Sequence, residues 1–586
     1  MNPPSPRASP GQARWVALVA VAVIAIGAFQ LTRPGYSVDE EFTVFAVRGI
    51  ATHGLPVLPS GLLYDRGIAY SYTAWLAGAV IGSELPAFRA ISLIAAALSV
   101  FLTFVLVRRV ANETAAFAAS VLVALSVPFW ATATSARFYA PFLAVYLLTL
   151  ICFTHPPSPR LRRGRPGGII WLIAAAAIAR LTHELAFTLA AIPLICWLLD
   201  RTERRRWFDA TLSVMAGLVI GQAVLFALHA SVPSSGETMV RRFFLWQVIN
   251  LFERPGDRQF GIPIVVMVIA WLVAPKRAWA ISVVALSIAA AMFAFSLAQA
   301  TNVAPLSIVL IKSVAIEGSR YPLDMFWHIA RQMPALLLAV LGAMLYRARK
   351  PDWPRRHRVA PALWIGWVLW FGVIESGITT NYLLLPVTFM LIALAIDLFG
   401  THDIEEGGAP GNPTWRDVVA LVMLAGMLTG VQVRTTSLEV ARPTIRVAGI
   451  DEIRTGLQPN DRIASTDELG CLMLVGRIDR WLALDDYVRE RFVVRRGDGP
   501  VSGVYTGVPA VFRPAELFTP NADGTLPDRV VIVDIFKEYP IGNSRFWLPK
   551  AIEEDGLQVT PLLETPQIRV LRVSPREQVA FLQPSP

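Results

Sequence analysis

Asp39-Glu40-Glu41 places three carboxylates close after the first long apolar run, Trp15 to Leu31, in a chain whose other apolar runs are nearly free of acid. A hydrocarbon core about 30 Å thick takes roughly 20 apolar helical residues to cross. Acids held just beyond such a run lie at the depth of a lipid headgroup, where a lipid-linked substrate would be handled. The plainer reading is a helix start. Ser37-Val38-Asp39-Glu40 would cap a helix running through Phe42, Phe45 and Val47, with acids in its first turn favoured by the helix dipole.

Other polar groups also sit at the ends of apolar runs: Tyr64-Asp65-Arg66, Arg137-Phe138-Tyr139, Thr182-His183-Glu184, Arg241-Arg242, Arg320-Tyr321, Glu375 and Asn381-Tyr382. Moving a group from a phosphate-linked lipid needs a base for the acceptor and cations for the departing phosphate, because charge builds on both as the bond breaks. Asp39 suits the first role; Arg66, Arg137 and Arg320 suit the second. Each Arg also suits simple headgroup snorkelling, and His183-Glu184 suits a turn with a paired charge. A divalent cation on His183 with Asp39, Glu40 or Glu184 is a further expectation, although no fixed ligand spacing supports it. No Gly-rich phosphate loop, nucleophile elbow or paired CxxC is present, so nucleotide hydrolysis and thiol chemistry lack a sequence basis.

The elements that must position these groups are membrane helices. Of 586 residues, 54% are hydrophobic and 16% charged, and the mean hydropathy is +0.51, outside the balance of an ordinary soluble domain. The net charge of +10 comes from short Arg clusters between apolar runs, which read as topology signals and not as a nucleic-acid face. Three cysteines, Cys152, Cys196 and Cys471, make no disulfide framework. The amino terminus reads as an uncleaved first helix, since no small-residue cleavage site precedes Arg33.

Thirteen spans are expected, near 15–31, 88–107, 114–132, 138–153, 168–182, 185–199, 208–229, 261–274, 278–298, 328–346, 359–374, 381–399 and 415–431. The basic loops at Arg108-Arg109, Arg160 to Arg165, Arg201 to Arg206, Lys276-Arg277 and Arg347 to Arg358 then share the side of the amino terminus, which the positive-inside rule makes cytoplasmic. Asp39 and Glu40 fall outside. The aromatic stretch 68–83 is short, and counting it as a span would place the basic loops outside. It is expected to lie at the interface beside a helix over 39–53.

The expected fold class is therefore a polytopic α-helical membrane protein with about 13 transmembrane helices over 1–431, followed by a soluble periplasmic α/β domain over 432–586. In that tail, Arg462–Thr466, Arg480–Leu484, Val530–Val533 and Ile568–Val573 read as short strands between Gly, Pro and Asp turns.

The order of motifs resembles a known family. A span, then Asp39-Glu40, Gly54-Leu55-Pro56, Gly61-Leu62-Leu63-Tyr64, an aromatic interfacial helix ending at Gly82, and Arg89 opening the next span is similar to the GT-C polyprenyl-phosphate-sugar-dependent glycosyltransferases. These include protein O-mannosyltransferases and lipid A aminoarabinose transferases. Ala179-Arg180-Leu181-Thr182-His183 looks like the family's "Leu-Thr-Lys" segment, and Tyr382-Leu383-Leu384-Leu385-Pro386 like its late "Tyr-x-Leu-Pro" span.

The resemblance covers roughly 15–400 and implies a GT-C fold with an inverting transfer of a sugar from an undecaprenyl-phosphate-type donor. It implies Asp39 as the catalytic carboxylate, Glu40 as its helper, and Arg66, Arg137, Arg320 and His183 as donor-phosphate contacts, with Tyr64, Glu184 and Tyr382 touching substrate. His183 stands where relatives often carry Lys, and Ala140 where they often carry an acid. The expected partners are the lipid-linked donor, membrane lipids and a periplasmic protein, lipid or glycan acceptor. The expected place is a bacterial inner membrane. The rival readings are a transporter or lipid-linked oligosaccharide handler, and a non-catalytic scaffold with a periplasmic binding domain.

Overall fold

The computed structural model describes residues 10–32, 36, 39–82, 84–154, 167–199, 204–232, 383–400, 449–484, 489, 492–495, 499–520, 524–535, 544–565 and 568–575. The expected spans at 261–274, 278–298, 328–346, 359–374 and 415–431 lie outside them, as do Arg320 and Tyr382.

The described membrane part begins with α1 (Pro10–Leu31), α2 (Glu40–His53), α3 (Ile68–Ile81) and α4 (Glu84–Val110). It continues with α5 (Glu113–Ala124), α6 (Val127–Ala133), α7 (Tyr139–Thr154), α8 (Gly167–Thr182), α9 (Thr188–Leu199), α10 (Arg204–Ala230) and α11 (Leu384–Phe399). Among the described residues, three helices are long and apolar enough to cross a membrane: Ala13–Leu31, Glu84–Val110 and Arg204–Ala230. The expected span at 114–132 is broken, with α5 and α6 bent by 63°. The cause is local: Pro128 sits in the first turn of α6, where its missing N–H and fixed φ suit a helix start and not a helix interior.

Helix α4 is the centre of the described bundle, packing against α1, α5 and α7, while α11 lies on α5. Trp15, Leu18, Val21 and Phe29 on α1 point outward from the protein, as lipid-facing side chains do. Among the described helices, α8 packs closely on α10. Gly217 and Gly221 let the two backbones meet: a Cβ at Gly217 would stand 2.3 Å from the Ile173 carbonyl oxygen, and one at Gly221 would stand 2.9 Å from that of Ala177. Small residues four apart are the usual means of close helix approach in lipid.

The carboxyl-terminal sheet region contains α12 (Ile450–Gly456), β1 (Arg462–Ser465), α13 (Glu468–Val475), β2 (Arg480–Leu482), β3 (Val493–Arg495), β4 (Val501–Gly503), β5 (Ala510–Val511), β6 (Val530–Ile535), α14 (Ser544–Glu554), β7 (Leu557–Glu564) and β8 (Ile568–Pro575). All four strands expected from the sequence are present. Six strands form one sheet in the order β5-β2-β1-β6-β8-β7, parallel from β5 to β6 and antiparallel at β8 and β7. The all-buried run Val530–Ile535 is the signature of a central strand covered on both faces. Asp534 in that strand is buried and accepts from Arg569 across the ladder at 2.7 Å.

One buried acid makes this domain pH-sensitive. Glu468 opens α13 and accepts a hydrogen bond from Thr506 Oγ1. Burial, with Asp467 beside it, pushes its carboxyl up to about 7 against the pull of that hydrogen bond. The folded state thus keeps a proton that the unfolded chain releases from its ordinary value of 4.5 upward, so stability falls as pH rises from 4.5 to about 7. Thermal unfolding of the full-length protein between about pH 5 and about pH 8 should show this decline in the wild type and lose its Glu468 component in Glu468→Gln. In the membrane part, Gly217→Ala should cost about 1–3 kcal/mol by forcing α8 from α10, read as a lower unfolding temperature in detergent.

Candidate active site

The site is built on a salt bridge. Glu40, at the first position of α2, is 0% exposed, and Arg89, one turn into α4, is 1% exposed. Arg89 Nε donates to Glu40 Oε1 at 3.0 Å and Nη2 to Oε2 at 2.7 Å. Oε1 also accepts the Ala136 backbone N–H at 2.6 Å, and Arg89 Nη1 reaches the Leu31 carbonyl at 3.3 Å. One ion pair therefore ties α2, α4, the end of α1 and the loop before α7 together. The two carboxylate oxygens face these donors, so Glu40 holds the site and does not present itself to a substrate. Glu41 is also fully buried.

Asp39 is different. It precedes α2 with φ +76°, the only non-glycine described residue in the left-handed region, and its side chain makes no capping bond to the helix. The capping reading is thereby corrected: the residue holds the N-cap position without doing an N-cap's work. Asp and Asn tolerate this conformation better than other side chains. The Asp39 carbonyl accepts from Arg137 Nη1 at 3.0 Å, which fixes the turn, while the side chain is half-buried.

Arg137 belongs to the loop leading into α7. The same Nη1 donates to Tyr64 Oη at 2.6 Å, and the guanidinium carbon lies 4.6 Å from the Phe138 ring centre. Ser92 Oγ of α4 donates to the Arg137 carbonyl at 3.0 Å. Arg137 Nε is buried without a hydrogen-bond partner, a donor still available. Tyr64 stacks on Phe42 of α2 with ring centres 5.7 Å apart. Gly67 supplies the close approach beneath: its φ is +72°, and a Cβ there would fall 2.5 Å from Phe138 Cδ1.

Arg66 is central to the field. Its charge reaches Tyr64, Asp65, His183, Glu184 and Tyr505. The charge of Asp39 reaches Tyr64, Arg137 and Tyr505. Asp39, Tyr64, Arg66, Arg137, His183 and Glu184, scattered over the sequence, are therefore brought into one cluster.

His183 sits in the link between α8 and the 3-10 turn Glu184–Phe187, with its Nδ1 accepting the Leu185 N–H at 2.9 Å. Phe138 and Phe142 lie 4.9 and 5.0 Å from its ring centre. Burial, with Arg66, Arg137 and Arg180 nearby, holds its pKa well below the usual histidine range. The site thus favours the neutral form of the ring.

Three residues escaped the sequence reading as site members. His229, in the last turn of α10, donates from Nε2 to Asp65 Oδ2 at 3.2 Å. Burial alone would raise the Asp65 carboxyl, but His229, Arg66 and Arg180 outweigh it and hold it low. Arg180 grips Gln222 of α10 through Nε at 2.9 Å and Nη2 at 2.7 Å. Tyr505 arrives from the soluble domain, its ring edge-on to Phe42 at 4.8 Å. The tripeptide Tyr64-Asp65-Arg66 marks only Asp65, the partner of His229; nothing local marks His229 or Tyr505. Among the described residues, no group of three or more His, Cys, Asp and Glu is placed to hold a metal.

Residues 65–229 match the profile of the family described as dolichyl-phosphate-mannose-protein mannosyltransferase. The resemblance to the GT-C glycosyltransferases is thereby confirmed. The match runs from the loop before α3 through α10, the stretch that holds Arg66, Arg137 and His183. No curated protein sequence matches the chain.

Among solved structures, ArnT from Cupriavidus metallidurans bound to undecaprenyl phosphate is 14% identical, with a TM-score of 0.44 over 96% of this chain and 98% of that one. The Saccharomyces cerevisiae protein O-mannosyltransferase Pmt1-Pmt2 complex bound to the sugar donor is 15% identical, with a TM-score of 0.31 over 38% of this chain and 34% of that one. The Archaeoglobus fulgidus oligosaccharyltransferase in complex with Zn and sulfate is 11% identical, with a TM-score of 0.49 over 90% and 68%. These likenesses are too loose to carry residue roles.

Because Glu40 leaves Arg89 without a counter-charge when truncated, Glu40→Ala should destabilise by about 3–5 kcal/mol. The double variant Glu40→Leu with Arg89→Leu should recover part of that loss, measured by thermal unfolding in detergent.

Proposed function

We propose that this chain is an integral-membrane glycosyltransferase that takes a sugar from a polyprenyl-phosphate donor and passes it, with inversion, to an acceptor on the extracytoplasmic side. The observation that supports it best is the pairing of a half-buried Asp39 carboxylate, unused by its own helix, with the Arg66 and Arg137 cations in one cluster.

The chemistry then follows. An acceptor hydroxyl attacks the anomeric carbon, and the bond from that carbon to the phosphate oxygen breaks. The hydroxyl proton passes to Asp39, and the electron pair leaves with the polyprenyl phosphate. Arg66, with Arg137 Nε behind it, offsets the charge gathering on that phosphate. Arg320 is proposed as a further phosphate contact, and Tyr382 and Glu184 as substrate contacts. Glu40 and Arg89 serve as positioning residues, because a base is effective only when its turn cannot drift. A bacterial inner membrane with the soluble domain on the periplasmic side is part of the same proposal, on the charge asymmetry of the loops.

The left-handed backbone at Asp39 chooses the test. Asn tolerates that conformation, so Asp39→Asn removes the charge and spares the turn. Purified Asp39→Asn protein should bind a polyprenyl-phosphate sugar but transfer it at least about 100-fold more slowly than wild type, the usual range for loss of a general base. Unchanged transfer would sink the role of Asp39, and absence of any donor binding in the wild type would sink the glycosyltransferase reading.

A further inference from the structure

The soluble domain reaches into the cluster through a single turn. Strand β4 runs into Val504-Tyr505-Thr506-Gly507, and this turn is held from two sides. On the membrane side, Ser60 Oγ donates to the Val504 carbonyl at 2.8 Å and the Ser60 N–H to the Tyr505 carbonyl at 3.0 Å. Val504 and Leu469 also share one buried apolar cluster with Phe45, Leu58, Leu62 and Tyr64. On the other side, Glu468 accepts from Thr506 Oγ1. A Cβ at Gly503 would lie only 2.0 Å from Glu468 Oε2, so glycine is what allows the carboxylate to sit under the turn.

The result is a fixed aromatic ring. Tyr505 packs edge-on to Phe42 at 4.8 Å, Phe42 stacks on Tyr64, and Tyr64 is bonded to Arg137. Tyr505 is nonetheless half-buried, with part of its surface open. It lies within the fields of both Arg66 and Asp39. A sugar about to be transferred must sit between the cation that holds its phosphate and the base that serves its acceptor. Tyr505 is beside that position.

We propose that Tyr505 touches the sugar of the bound donor, so that the soluble domain supplies a specificity-determining wall of the site, with Glu468 as the positioning residue that holds the turn. This rests on the glycosyl-transfer reading. An aromatic ring with a polar tip suits the role, since it offers an apolar edge to the sugar's C–H groups and a hydroxyl to its oxygens.

The test uses full-length protein in nanodiscs with two probes: undecaprenyl phosphate alone, and a panel of undecaprenyl-phosphate-linked hexoses and pentoses. Tyr505→Ala should weaken the best-bound sugar-bearing lipid about tenfold, equal to about 1.4 kcal/mol, and undecaprenyl phosphate less than about twofold. Glu468→Ala should reproduce this pattern more weakly, and Glu468→Gln, which keeps the side chain's length and hydrogen bonding, should restore near-wild-type discrimination. Equal losses for both lipids would overturn the proposal, since the turn would then serve the phosphate or the fold. No loss for either lipid would overturn it too, leaving the glycosyltransferase reading intact. A wild type that prefers no sugar-bearing lipid over undecaprenyl phosphate would instead overturn the glycosyl-transfer reading, and this proposal with it.

Discussion

The ion pair between Glu40 and Arg89 is the constraint on which the rest of the site depends. Two fully buried charges are costly unless their donors and acceptors are used, and here the carboxylate takes two of the three guanidinium nitrogens and a backbone N–H, while the third nitrogen reaches the Leu31 carbonyl. That requirement fixes α2 against α4 and draws in the loop before α7. With those three elements locked, Arg137 has one place to go, and its bonds to Tyr64 and the Asp39 carbonyl follow.

This arrangement divides labour among neighbouring acids that look alike in sequence. Glu40 is spent on structure because its oxygens are saturated by fixed donors. Asp39, one residue earlier, is turned away by a left-handed backbone, and its carboxylate makes no capping bond to the helix. The strain of that backbone is maintained by the surrounding bonds, as expected where a residue's orientation matters more than its local comfort.

The soluble domain fits the same logic. Its sheet is an ordinary buried α/β core, but the turn after β4 and the start of α13 pack on the first outer loop through Ser60, Leu58 and Leu62. The contact extends to Tyr36, whose hydroxyl donates to the Gly470 carbonyl at 3.2 Å. The domain is thus joined to the site by directional bonds as well as apolar contact.

Much of this was legible in the residues. The apolar runs gave the described helices, α2 and α3 among them, and the strands of the tail, because burial in lipid or in a sheet core imposes its own periodicity and length. The motif order around Asp39 and Arg66 singled out residues that the structure brings into one cluster. What the sequence alone could not decide was which polar group is used up by which partner. The saturation of Glu40 by Arg89, the neutral ring of His183, the pairing of Asp65 with His229 and the arrival of Tyr505 all join residues distant in the chain. Hydrogen-bond geometry and burial assign those roles, and both exist only once the helices and the soluble domain have packed.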